Sequence, residues 1–141
     1  NKAVDAVAGF DMIHSLDRPA LAQALRKACD RTGRAPPMLV QVNTGAEPQK
    51  AGCLPEVLPG LVALARDELA LPVVGLMTIP PHDEEPAPHF ALLAKLARRH
   101  GLSHLSMGMS ADFTTAVTLG ATFVRVGTAL FGARETEGEA A

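Results

Sequence analysis

The chain has 141 residues, 48% of them hydrophobic, and a formal charge of −2. This is one domain's worth of sequence with material for a real core, and it contains neither an apolar run of ~20 residues nor a basic, apolar leader. With no basic block, no Trp and no Tyr, it lacks the charged and stacking surface expected of a nucleic-acid binder.

A strand is expected over residues 10–16, Phe-Asp-Met-Ile-His-Ser-Leu. Asp17 then reads as an N-cap and Pro19 as a first-turn residue of a helix over about 18–31. Leu21, Leu25, Ala28 and Cys29 share one face of that helix, and Thr32-Gly33 ends it. A second strand is expected over 38–43, followed by a Gly- and Pro-containing loop to Cys53. The next helix occupies roughly 54–69, and Pro59 argues for a start nearer 59. A third strand (73–79), a polar proline-rich loop (80–86) and a helix over about 87–100 follow, with Gly101 as its cap. The fourth strand is expected over 104–109, after which Ser110 reads as the N-cap of a short helix with Asp112 in its first turn. The fifth strand is expected over 122–127, then one helical turn over 128–131 and a small acidic tail over about 133–141.

Strands and helices thus alternate, with connections long enough for parallel pairing. The strands are apolar on both faces, as in a sheet covered by helices. Two architectures fit: an open doubly wound sheet, or the last five βα units of a (β/α)₈ barrel, which normally needs ~250 residues. A doubly wound nucleotide binder carries its glycine turn after the first strand, and His14-Ser-Leu-Asp17 has no glycine. The glycine-rich strand ends are the last two, where barrels bind phosphate. The expected fold is therefore α/β, a partial TIM-like barrel forming one domain over 1–141, with strands expected ahead of Asn1.

Side chains alternate along a strand. One face of the fourth strand then carries His104, Ser106, Gly108 and Ser110, and the other Leu105, Met107 and Met109. One face of the fifth carries Phe123, Arg125 and Gly127, against Val124, Val126 and Thr128. The second strand divides into Gln41 and Asn43 against Val40 and Val42. Polar faces with small residues describe either a packed lumen or a ligand site. Arg125 favours the site, because a guanidinium within an apolar strand needs something to accept its hydrogen bonds. Gly108, Ser110, Gly127 and Thr128 offer backbone N–H groups and hydroxyls suited to phosphate.

The stretches Ser106-Met-Gly-Met-Ser-Ala-Asp112 and Val124-Arg-Val-Gly-Thr-Ala-Leu-Phe-Gly-Ala-Arg134 resemble the closing motifs of the pyridoxal-phosphate homeostasis proteins. These are single-domain relatives of the alanine racemase N-terminal barrel. His14-Ser-Leu-Asp17, Gln41-Val-Asn-Thr44, Gln49-Lys-Ala-Gly52 and Gly75-Leu-Met-Thr-Ile-Pro80 follow the family's order, so the resemblance covers essentially the whole chain. It implies a barrel that binds pyridoxal 5′-phosphate through Ser106, Gly108, Met109, Ser110, Gly127 and Thr128, with Arg125 facing the pyridine nitrogen. An arginine keeps its own proton, so a ring nitrogen beside it stays unprotonated and the ring is a weaker electron sink. The resemblance therefore implies a carrier or regulator without substrate turnover, whose partners are the cofactor and pyridoxal-phosphate-dependent apo-enzymes; from the composition, neither nucleic acid nor membrane is expected as a partner. The family's cofactor-bearing lysine belongs to its first strand, expected ahead of this sequence, so Lys2, Lys27, Lys50 and Lys95 are assigned no catalytic role.

Two alternatives use the same barrel. An amino-acid racemase needs a second, β-rich domain to supply an opposing acid–base residue. A sugar-phosphate enzyme needs a carboxylate or lysine at a strand end, where this sequence offers mainly Ser, Thr, Asn and Gln. The pairs His100/His104 and His82/His89 lack the clustering of a metal site, and none is expected. His14 ends a strand as either a packing residue or a ligand contact. Cys29 is expected in the core and Cys53 at the surface. Two cysteines are too few for a disulfide scaffold and fit a reducing cytoplasm.

Overall fold

The structure is a computed structural model, and residues 2–127 are described. Five strands, β1 (Ile13–Leu16), β2 (Met38–Gln41), β3 (Val73–Met77), β4 (His104–Met109) and β5 (Phe123–Arg125), form one parallel sheet in the order β1-β2-β3-β4-β5. They alternate with helices α1 (Ala3–Gly9), α2 (Pro19–Thr32), α3 (Leu58–Val62), α4 (Pro86–Arg99) and α5 (Phe113–Thr118). A π-helical stretch, Ala63–Glu68, continues α3. No helix among the described residues is long and apolar enough to cross a membrane.

The strand order decides between the two expected architectures. A doubly wound sheet reverses direction at a switch point. Here each strand lies beside its predecessor, and right-handed crossovers then place every helix on one face. The sheet is also strongly curved. His14 Nδ1 of β1 lies 2.9 Å from Ser106 Oγ of β4, three strands away, where a flat sheet would hold the strands ~14 Å apart. The His14 ring also meets Phe123 of β5 edge-on, with centroids 5.5 Å apart. The sheet is half of a barrel, and these side chains meet across its lumen.

The core lies between the sheet's outer face and the helices. Leu16, Met38, Val40 and Leu76 from the strands pack there with Phe90 and Leu93 of α4, all fully buried. Leu39 and Met77 alternate with these residues and are buried on the lumen side.

Several local expectations change. Helix α1 has no strong sequence signal, and a seven-residue helix is not stable alone. It forms because Val7 is buried completely as α1 packs on α2. Asp17 does not cap α2, whose N-cap is Arg18 without a side-chain bond. Its carboxylate instead accepts the Gly52 N–H at 3.1 Å, tying the end of the loop after β2 to β1. Cys53 is buried rather than at the surface, because it makes a parallel bridge with Val42. Burial pushes its thiol pKa up to about 11, the setting of an inert cysteine. Gly101, with φ +66°, closes α4 as expected. The turn over 128–131 and the tail over 133–141 lie outside the described residues.

Gly75 of β3 stands beside His104, and a methyl group on it would overlap the His104 backbone carbonyl. Backbone in a paired strand cannot swing aside. Gly75→Ala is expected to destabilise the fold by about 2 kcal/mol, read as a lower midpoint in urea; an unchanged midpoint would show that β3 and β4 separate without cost.

Candidate functional site

The strands' C-terminal ends and the lumen face hold the polar residues. Paired residues of neighbouring strands share a face, so the pairs Ser106↔Phe123 and Met109↔Arg125 fix which side chains line the lumen. Three residues of β4 span two of β5, which makes Gly108 a β-bulge with φ +101°. The bulge corrects the simple alternation. A Cβ on Gly108 would point at α5, 2.6 Å from Ala116 Cβ, not into the lumen. Met109 moves to Arg125's face and is 45% exposed.

Arg125 is the centre of this arrangement. One guanidinium nitrogen donates to the Thr78 carbonyl at 2.9 Å, at the end of β3. Its Nε–H is buried and has no hydrogen-bond partner among the described residues. Burial lowers the guanidinium's pKa, and the nearby Asp112 carboxylate opposes that shift. An arginine stays protonated in such a setting, so a half-buried cation with a buried, unpaired Nε–H shares the lumen face.

Asp112 has a second partner. It is the N-cap of α5, in place of the expected Ser110, and its Oδ1 accepts the Met109 N–H at 2.7 Å. That bond closes the turn after β4. The Met109 N–H is therefore already engaged. Ser110 is half-buried at the same turn, and Gly127 is exposed just beyond β5. Ser106 is fully buried, its hydroxyl bonded to His14. Of the expected site residues, the structure thus brings Ser106, Gly108, Met109, Ser110, Arg125 and Gly127 to the ends of β4 and β5, while Thr128 lies outside the described residues.

Burial lowers the pKa of His14, and the charge of Arg125 lowers it further. His14 is thus a lumen residue held neutral beside a cation. Its place on β1 carries no signal that it reaches β4. The Thr78 acceptor is equally silent in sequence, because a backbone carbonyl belongs to every residue. Asn43, expected on the lumen face, turns its side chain to its own loop, donating to the Glu47 carbonyl at 2.7 Å and accepting the Glu47 N–H at 3.2 Å. Lys27 of α2, Lys95 of α4 and Lys50 of the loop after β2 are all exposed. Among the described residues, no group of His, Cys, Asp and Glu is placed to hold a metal.

The profile of the family described as "Alanine racemase, N-terminal domain" matches residues 1–135. The chain belongs to the alanine racemase N-terminal domain family. Within it, the chain is 43% identical over 133 residues to a pyridoxal phosphate homeostasis protein of Aquifex aeolicus, covering 88% of this chain and 58% of that protein. The chain thus spans less than two thirds of that curated relative. Its structure resembles PipY of Synechococcus elongatus PCC7942 solved without PLP, at TM-score 0.83 and 39% identity, over 94% of this chain and 66% of PipY. It also resembles PipY solved with PLP bound, at TM-score 0.76 and 40% identity over the same shares.

In this member of the alanine racemase N-terminal domain family, His14 links the lumen to stability. Above pH 6.5, its ordinary pKa, the imidazole is neutral in folded and unfolded chains alike. As pH falls below 6.5 the unfolded chain takes up the proton first, because the native pKa is lowered. Stability is then lost progressively as pH falls through the native pKa. His14→Asn is expected to flatten the urea-midpoint profile over this window; a profile of the same slope as wild type would remove His14 as the cause.

Proposed function

We propose that the chain is the ring- and phosphate-gripping part of a pyridoxal 5′-phosphate-binding protein that acts in cofactor homeostasis, as a carrier or regulator without substrate turnover. The observation that carries this is the buried Nε–H of Arg125, without a hydrogen-bond partner among the described residues, on a side chain that belongs to the lumen face of β5. A pyridine nitrogen is an acceptor of the right kind and size for it. We assign Ser110, Gly127 and Thr128 to the phosphate, with the Gly108 bulge shaping the turn that presents Ser110 and with Ser106 and Met109 lining the approach. The relatives named for pyridoxal phosphate homeostasis and the PLP-bound form of PipY support this assignment.

Bound pyridoxal phosphate supplies an amine-reactive aldehyde and a ring that withdraws electrons, less strongly when its nitrogen is unprotonated. Arg125 donates a hydrogen bond but does not give up its proton. The site therefore favours holding the cofactor over driving carbanion chemistry with it. A carrier implies apo-enzymes dependent on the same cofactor as recipients. Two free, buried thiols, Cys29 and Cys53, fit a reducing cytoplasm as the place where it works.

Titration of the full-length protein with pyridoxal phosphate, followed by absorbance, tests the assignment. Arg125→Ala is expected to weaken binding roughly ten- to hundredfold, the worth of a charged hydrogen bond, with an unchanged circular dichroism spectrum. Equal affinity in the variant would take Arg125 out of the site. Failure of the wild-type protein to bind would overturn the proposal, and racemisation of alanine by the protein would replace it with the enzyme alternative.

A further inference from the structure

The loops after β2 and β3 are joined by a chain of side chains that ends at the Arg125 anchor. His89, the fourth residue of α4, places Nδ1 3.0 Å from Thr44 Oγ1. Thr44 Oγ1 lies 3.1 Å from Thr78 Oγ1. Thr78 Oγ1 donates to the Val42 carbonyl at 2.8 Å. Thr78 is fully buried, its N–H donates to Ser106 of β4 at 3.1 Å, and its carbonyl takes the Arg125 guanidinium at 2.9 Å.

Counting protons gives this chain a direction. A hydroxyl has one hydrogen. Thr78 gives its own to Val42, so it must accept from Thr44. Thr44 has then used its hydrogen and must accept in turn. The donor at the head of the chain is therefore His89, with its proton on Nδ1. On the ring's other side, Nε2 lies 3.3 Å from Glu84 Oε1. Glu84 is half-exposed, and its contact is a hydrogen bond only when Nε2 also carries a proton; the bond to Thr44 needs the Nδ1 proton alone.

We propose that His89 is a positioning residue: through Thr44 and Thr78 it fixes the carbonyl that holds the Arg125 guanidinium. Its consequence for cofactor affinity rests on the function proposed above, but its effect on Arg125 does not. Without the His89 donor, Thr44 is free to turn its hydroxyl away; Thr78 keeps its bond to the Val42 carbonyl but loses the one it accepts from Thr44. The Thr78 peptide then loosens, and with it the hydrogen bond that holds the Arg125 guanidinium.

The test is made first on the ligand-free, full-length protein. The Arg125 Nε–H signal in a proton–nitrogen correlation spectrum is assigned by its loss in Arg125→Lys. In His89→Ala it is expected to shift and to exchange with water roughly fivefold faster, the loss of one hydrogen bond's constraint. His89→Asn, whose amide N–H overlays the imidazole Nδ1–H, should restore the wild-type signal. His89→Asp has the same shape but no donor there and should behave like alanine. A wild-type signal in His89→Ala, or identical signals in the Asn and Asp variants, would overturn the proposal. In the pyridoxal phosphate titration His89→Ala should weaken binding about fivefold in the wild-type background and not at all beside Arg125→Ala, since neighbours that act through one contact are non-additive. Equal weakening in both backgrounds would show that His89 acts by another route. If the wild type binds no cofactor while the Arg125 signal still moves, the positioning role stands and the proposed function falls.

Discussion

The open end of this half-barrel is organised around one guanidinium drawn partly out of water. Removing a cation from solvent costs several kcal/mol unless its donors are met. The Thr78 carbonyl meets one donor at 2.9 Å, and the Asp112 carboxylate supplies the opposing charge. Both partners come from other elements: Thr78 follows β3, and Asp112 begins α5. Arg125 on β5 reaches them only because β3, β4 and β5 are successive neighbours in one parallel sheet. The cation also sets conditions for its surroundings. His14, drawn into the lumen by the curvature of the sheet, is held neutral there, first by burial and then by Arg125. Its Nδ1 shares a hydrogen bond with the Ser106 hydroxyl, so the part-buried ring is not left without a partner there.

The bulge at Gly108 makes this geometry available. A regular β4 would leave Met109 on the helix side and aim residue 108 at the lumen. One extra residue reverses both and bends the strand end, as bulges do at binding sites. Only glycine suits the position. Its φ of +101° is unfavourable for other residues, and Ala116 of α5 occupies the space a side chain would need. The Met109 N–H released by the bend goes to Asp112, so the carboxylate that balances Arg125 also closes the turn before α5. One acidic residue thus couples the shape of the β4 end to the charge on β5.

Much of this was legible in the sequence, and the failures share a cause. Apolar runs and Gly/Pro punctuation located the five strands and the helices between them, because burial between sheet and helices writes itself into composition. The glycine-free end of β1 and the glycine-rich ends of β4 and β5 pointed to a barrel, and the sequential strand order agrees. Alternation placed Ser106, Phe123 and Arg125 on one face but failed at Gly108, where the backbone leaves the pleat. Asp17 and Ser110 looked like caps because a side-chain oxygen before a helix usually caps it. Instead Asp17 was taken by Gly52, and Asp112 displaced Ser110. Helix α1 and the Arg125 acceptor left no local pattern at all: one depends on burial of Val7 against α2, the other on a backbone carbonyl.

The same contacts bear on what the lumen does with a ligand. A general acid or base needs a proton it can exchange near the working pH. Arg125 does not release its proton, and His14 is disfavoured from gaining one beside it. Asp112 is engaged by Met109 and by the field of Arg125, and Ser106 by His14. These polar groups are thus engaged with one another, while the Arg125 Nε–H is buried without a partner among the described residues. It is on that donor that the proposed grip on a ring-nitrogen acceptor rests.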